Sequence, residues 1–370
     1  ANTVLGLYNA MSGSAFSQAT VFALGIQPYI NASIIIELLT IAIPALERMQ
    51  KEEDGQQKIN QITRYVTVGL GLVMSYGYYS LLAYRFDVLK YKTFFTAVVV
   101  VLAFTAGSAI VMWLAERINE KGIGNGISMI LFASILSQGS GIINWLRNAF
   151  ISKNYIGPVI VGIIAVGMIM CIVLVNKAER RIPIQYAKRV VGRKMYGGNS
   201  THLPMKVMMT GVMPIIFASS FCMLPQTIAT FFASSSSFAV WVEKYFSQDT
   251  VAYGVIYFLL IVFFNYFYVS VSYNPVEIAN NLQKNGGSVP GIRPGEPTAN
   301  YLKKTLNKIT LFGALFLGVI AILPMIASAV FNLSFTLGGT SILIVVSVIM
   351  ETAVTIESQI VMRHYRGFLE

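Results

Sequence analysis

"GSVPGIRPGEPTANY", residues 287–301, carries three prolines, three glycines, one arginine and one glutamate in a chain that is otherwise strongly apolar. It is too polar to lie in lipid, where every backbone polar group must find a partner inside the protein. Pro290, Pro294 and Pro297 fix φ and restrict the residue before each of them. Gly291 and Gly295 permit tight turns between the prolines. The stretch is therefore expected to be a preformed protrusion that presents Arg293 and Glu296 and loses little ordering entropy when something docks on it. The sequence on either side decides what it protrudes from.

Of the 370 residues, 55% are hydrophobic and only 12% are charged, against about 25% charged in a soluble domain. A membrane helix needs about 20 mostly apolar residues. Nine segments meet that need: 20–46, 65–84, 94–114, 124–146, 156–176, 207–232, 251–272, 309–331 and 339–362. Pro214 and Pro225 in 207–232, and the glycines and serines of 124–146, mark helices that pack closely or line a cavity. Residues 1–19, "ANTVLGLYNAMSGSAFSQA", are too short and too polar to span. They fit an outside tail or a half-helix folded into a cavity.

Basic residues sort the connections. One alternate set holds 21 of the 27 Lys and Arg residues, eight of them in 177–206. The positive-inside rule makes that set cytoplasmic. It accounts for most of the net charge of +11 without a nucleic acid, and it puts the C-terminus inside and Ala1 outside. An outer N-terminus with no signal to carry it there implies a preceding span, ten in the parent chain.

Chemical motifs are sparse. The sequence shows no phosphate-cradling loop, no nucleophile elbow and no metal-spaced His/Cys set, so neither a catalytic group, a cofactor nor a metal is expected. Cys171 and Cys222 sit in apolar runs and fit small core residues. His202 and His364 are far apart in polar segments. "GIGNGIS" (122–128) follows one helix and opens the next, so it is no dinucleotide fingerprint. Glu37, Glu351 and Glu357 are ionisable groups inside spans, which makes them functional candidates. Glu351 and Glu357, six residues apart, do not share a helix face. The loop 177–206, "KAERRIPIQYAKRVVGRKMYGGNSTHLPMK", alternates apolar and basic residues in a way that mere solvation does not require. Together with the proline-rich stretch, it places two structured loops on one side of the membrane.

"QPYINASIIIELL", "GIGNGIS", "STHLPMK", "MPIIFASS", "VPGIRPGEPTANY" and "GGTSILIVVSVIM" together resemble the SecY family of bacterial protein-conducting channels. They occur in family order and spacing from Ala1 to the last span. The resemblance implies an all-α integral membrane protein with nine of an original ten transmembrane helices, in two pseudosymmetric halves around an hourglass pore. Residues 1–19 correspond to the plug. Residues 20–155 correspond to the N-terminal half, and 156–370 to the C-terminal half with cytoplasmic loops 177–206 and 274–308. The pore ring maps to Ile30, Ile34, Leu131, Ile216 and Ile344, with Leu131 where the family often has Ile. Such an aliphatic ring excludes water and ions by dewetting, and yields to a passing chain because its contacts are non-directional. Asn125 is the polar candidate at the lateral gate, through which signal sequences and membrane segments leave for lipid.

The implied docking residues for the SecA ATPase or the ribosome are Arg293, Glu296, Lys188, Arg189, Arg193 and Lys194. The basic ones could meet rRNA phosphates, an attraction that salt weakens. SecE and SecG are the implied subunits, secretory preproteins the cargo, and the bacterial cytoplasmic membrane the location. The competing class is a secondary transporter of a small solute. It would need polar groups on broken helices at the midplane and a use for Glu37 or Glu351.

Overall fold

The computed structural model describes residues 12, 15–50, 52, 54–85, 89, 91–137, 139, 147, 151, 156–186, 189–191, 194–196, 200–229, 236–246, 250–331 and 339–366. Helices dominate: α1 (Gln27–Ala42), α2 (Pro44–Gln50), α3 (Gly55–Ser80, continued by a π turn Leu81–Arg85), α4 (Phe94–Lys121) and α5 (Gly126–Ser137). They continue with α6 (Ile156–Lys177), α7 (Met213–Ala229), α8 (Ser237–Phe246), α9 (Val251–Ser272), α10 (Pro275–Lys284), α11 (Glu296–Phe331) and α12 (Gly339–Arg366). Five helical stretches are long and apolar enough to cross a membrane, and α1 with α2 makes a sixth if that bent pair is one span. Shorter apolar helices fall in 124–146, 156–176 and 207–232.

Two expected spans are corrected. The segment 20–46 is not one straight helix. Its first residues make tight turns, Ala23 N–H to Thr20 O at 2.9 Å and Gly25 N–H to Phe22 O at 2.8 Å, with Gly25 at φ 53°. Helix α1 begins only at Gln27, where Pro28 occupies its first turn. It stops at Ala42 because Pro44 disfavours helical backbone just before it, and the chain bends by 106° into α2. Similarly, 207–212 is a turn with Gly211 at φ 57°, and α7 begins at Met213.

The helices pack as a closed circuit. In order around it, α1 contacts α3, α3 contacts α4, α4 contacts α5, α5 contacts α12, α12 contacts α11, α11 contacts α9, α9 contacts α7, and α7 returns to α1. Helix α6 packs on α12 and adds Met168 and Ile172 to the large buried cluster. The chain's first group (α1, α3, α4, α5) thus meets its second (α7, α9, α11, α12) at two seams, α1/α3 against α7 and α5 against α12. Where backbones approach closely, glycine is required. A Cβ on Gly126 would lie 2.0 Å from the Ala115 carbonyl oxygen, and one on Gly107 would lie 2.1 Å from that of Val21.

The two long loops are ordered elements. Strands β1 (Glu179–Tyr186), β2 (Arg189–Val191), β3 (Lys194–Tyr196), β4 (Ser200–Lys206) and β5 (Gly287–Ser288) form a three-stranded sheet in the order β4-β1-β5 and a small β2-β3 hairpin. The fold is thus helical in the bundle with a sheet beside it. In β1, the buried Ile182 and Ile184 alternate with exposed neighbours, the period-2 signature of a half-buried strand. Antiparallel pairing of Gln185 with Ser288 and Tyr186 with Gly287 joins the two loops. The expected loop 274–308 likewise consists of α10, β5 and the first turns of α11 around a short connection. A second apolar cluster, including Ile182, Met205, Val289, Ala299 and Leu302, lies between sheet and helices.

Candidate functional site

Ile30 and Ile34 on α1, Leu131 on α5, Ile216 on α7 and Ile344 on α12 all belong to one buried cluster. None is more than 5% exposed. Their four helices are those that face each other across the two seams. Ile30 and Ile34 lie one turn apart on one helix face. The cluster also takes in aromatic side chains such as Tyr78, Phe104 and Phe217, and the five aliphatic side chains themselves have no group that could make a hydrogen bond.

Local structure explains how each element is aimed. In "GIGNGIS", Gly124 adopts φ 77°. The Asn125 Oδ1 accepts the Ile127 and Ser128 amides at 3.0 and 3.3 Å, and the Asn119 Oδ1 accepts the Gly126 amide at 2.7 Å. Asn125 is thus the N-cap of α5, a role in which a short polar side chain satisfies otherwise unpaired amides. The cap fixes the start of the helix that carries Leu131. The Thr352 hydroxyl on α12 donates to the Val348 carbonyl at 2.7 Å and faces the Met129 sulfur at 3.6 Å, which adds a weak polar contact at the α5–α12 seam.

Helix α7 is positioned by a polar knot that sequence reasoning passed over. The Thr210 hydroxyl donates to Asn265 Oδ1 at 2.8 Å, and Asn265 Nδ2 donates to the Thr310 carbonyl at 3.0 Å. All three residues are buried. The knot ties the turn before α7 to α9 and α11. The legible signal was a lone carboxamide in the apolar run 251–272, a group that is unfavourable there unless paired.

The proline-rich stretch turns at the glycines that the sequence places between its prolines. Gly286, Gly291 and Gly295 adopt φ of 71°, 79° and 94°, backbone that side-chain-bearing residues avoid. Val289 is buried in the second cluster. The Thr298 hydroxyl donates to the Arg293 carbonyl at 2.8 Å. The Arg293 side chain is exposed. Glu296 is also exposed, but it opens α11 and is no part of a loop tip. Arg189 and Lys194 lie on the paired strands β2 and β3. Lys188 and Arg193 lie outside the described residues, as does most of 1–19. Glu37 is half-buried on α1 and reaches the Tyr268 hydroxyl on α9, whereas Glu351 and Glu357 are exposed on α12. Glu37 thus sits beside α9, and the other two carboxylates are on α12.

Comparisons with known proteins agree with this geometry. The SecY family model matches residues 20–353. The protein translocase subunit SecY of Streptomyces coelicolor is 45% identical over 391 residues, covering 99% of this chain and 87% of the relative. A solved SecY structure, in which the plug domain stabilises the closed state of the translocation channel and maintains a membrane seal, matches with a TM-score of 0.65 at 20% identity, covering 95% of this chain and 89% of that one. Sec61 in the canine ribosome–channel complex matches with a TM-score of 0.60 at 18% identity, covering 95% and 89%. The two structures support the fold and the full-length relative supports the family: the chain belongs to the SecY family of multi-pass membrane proteins.

Proposed function

We propose that this chain is the channel subunit that conducts unfolded secretory polypeptides across the bacterial cytoplasmic membrane and releases apolar segments sideways into lipid. The observation that supports the reading is the closed circuit of helices, with five buried aliphatic side chains on the four helices that form its two seams. A ring of this kind seals by dewetting and parts around any sequence, because no side-chain hydrogen bond within it selects the cargo.

In this reading, residues 1–19 are the plug, 20–155 and 156–370 are the two halves, and the α1/α3–α7 seam is the lateral gate; Asn125, at the start of α5, which packs on α12, then lies at the other seam and not at the gate. The sheet and the proline-rich stretch face the cytoplasm, as does the C-terminus, and Ala1 lies outside. Arg293 at the exposed turn and the basic hairpin β2-β3 form a docking face for the SecA motor or the ribosome, and SecE and SecG complete the complex. The motor, translation and the membrane potential supply the energy.

The test is a disulfide crosslink. A lone cysteine replaces Ile34 in the full-length protein, Cys171 and Cys222 are removed, and a secretory chain with one cysteine is stalled part-way across. A disulfide between the two places cargo in the aliphatic ring. Silence there and at neighbouring positions, with the stalled chain confirmed as engaged, overturns the reading.

A further inference from the structure

The polypeptide just before α1 is held by a contact that the channel reading does not by itself require. The Phe16 ring packs on Tyr78 of α3, with centroids 4.3 Å apart. Tyr78 in turn packs on Phe104 of α4 at 5.1 Å. The Tyr78 hydroxyl also donates a hydrogen bond to the Phe16 carbonyl. One side chain therefore grips the same residue by its ring and by its backbone. The Phe16 carbonyl additionally accepts the Ala19 amide at 3.2 Å, and the Phe16 amide donates to the Ser12 hydroxyl at 3.1 Å. Phe16, Tyr78 and Phe104 are buried in the cluster that contains the five aliphatic residues.

The turn closed on that carbonyl is strained. Ala19 has φ 48° and is the only non-glycine residue with positive φ among those described. The left-handed region is unfavourable for a residue with a Cβ. Such a conformation persists only where its surroundings impose it. Here they include the Tyr78 hydrogen bond and the Thr20 amide bonded back to the Ala15 carbonyl at 3.2 Å.

We propose that Tyr78 is a latch that holds the segment before α1 in its closed position through Phe16, and so sets how readily the channel opens. The inference rests on the channel reading above. While Tyr78 stays buried, its hydroxyl cannot leave the Phe16 carbonyl at little cost, because a buried polar group that loses its partner is strongly penalised. Once water enters, both groups find substitutes and the strained turn relaxes. The latch is thus strong when the channel is shut and weak once opening has begun. Tyr78 is a positioning residue, acting on the plug segment and not on the cargo.

The test uses the full-length chain with its partner subunits in proteoliposomes. Tyr78→Phe keeps the ring and removes only the hydrogen bond. Ala19→Val makes the strained turn harder to hold. Each variant is assayed for export of a preprotein with an intact signal sequence, export of one with a defective signal sequence, and resting ion flux. We expect Tyr78→Phe to raise defective-signal export about fivefold, the size of one lost hydrogen bond, with intact-signal export and the amount of assembled complex unchanged. Ala19→Val shifts stringency in the same direction. Ile34→Asn in the same vesicles separates the latch from the reading beneath it. If Ile34→Asn loosens stringency while Tyr78→Phe and Ala19→Val, normalised to assembled complex, do not, the latch is wrong and the channel stands. If Ile34→Asn also changes neither flux nor stringency, the channel reading falls and takes the latch with it.

Discussion

The two apolar clusters of this molecule are built by opposite rules. The large one, shared by the helices of the circuit, contains the five candidate ring residues, whose side chains can make only non-directional contacts. The small one, under the sheet, is framed by paired strands, glycines fixed at positive φ and the Thr298 hydroxyl on the Arg293 carbonyl. Aliphatic contact is non-directional and re-forms after it is parted. A hydrogen-bonded frame holds one geometry or breaks. In the proposed function, a wall that yields to many different chains suits the first rule, and a handle that transmits force to one partner suits the second.

Polarity in the first cluster should produce the largest effect. Replacing Ile34 and Ile216 together with Asn wets the ring, and planar-bilayer recordings should show resting conductance where the parent protein shows none. Next comes the handle. Arg293→Glu in the full-length form should abolish motor-driven export while copurification with its partner subunits persists; normal export would mean that rigidity there serves something else. Leu131→Ala leaves a cavity in the yielding cluster. It should cost about 2–5 kcal/mol of stability, read as a lower melting temperature in detergent, and a much smaller loss would mean that the ring collapses to refill space. Asn265→Leu removes the polar knot and strands the Thr210 hydroxyl, a loss of about 1–3 kcal/mol. Adding Thr210→Val should recover part of it, because both partners are then apolar. The smallest effect belongs to exposed charge. Lys58, 3.0 Å from Glu52 with both side chains more than half exposed, should lose no more than about 1 kcal/mol on substitution by alanine.

Legibility followed the same division. Apolar length revealed where the helices are, because lipid imposes a minimum on it. It misplaced the starts of two, since residues 20–26 and 207–212 are apolar yet held in turns by Gly25 and Gly211. The alternation around Ile182 and Ile184 hinted at a strand, but nothing local says that Gln185 pairs with Ser288 more than a hundred residues away. The cap role of Asn125 was readable in principle, since an Asn ahead of an apolar run is a helix-start signal. The five aliphatic residues were invisible as a set. In the sequence they are ordinary residues in ordinary helices, and only the motif resemblance singled them out. That their four helices form the two seams depends on which helix faces which, and that is a property of packing between elements.

The circuit of helices also sets a calibre. Were eight cylinders about 10 Å across placed side by side in a circle, their centres would lie about 13 Å from the axis and leave a bore about 16 Å wide. An extended chain passes such a bore easily, and so does one helix, but two helices abreast do not. In this structure the circuit is drawn in, since residues from both seams and Phe16, Ala23, Leu24 and Ile26 share one buried cluster. The number of helices in the circuit fixes the largest object that can pass along the axis. Anything broader must wait unfolded, or leave by parting one of the two seams.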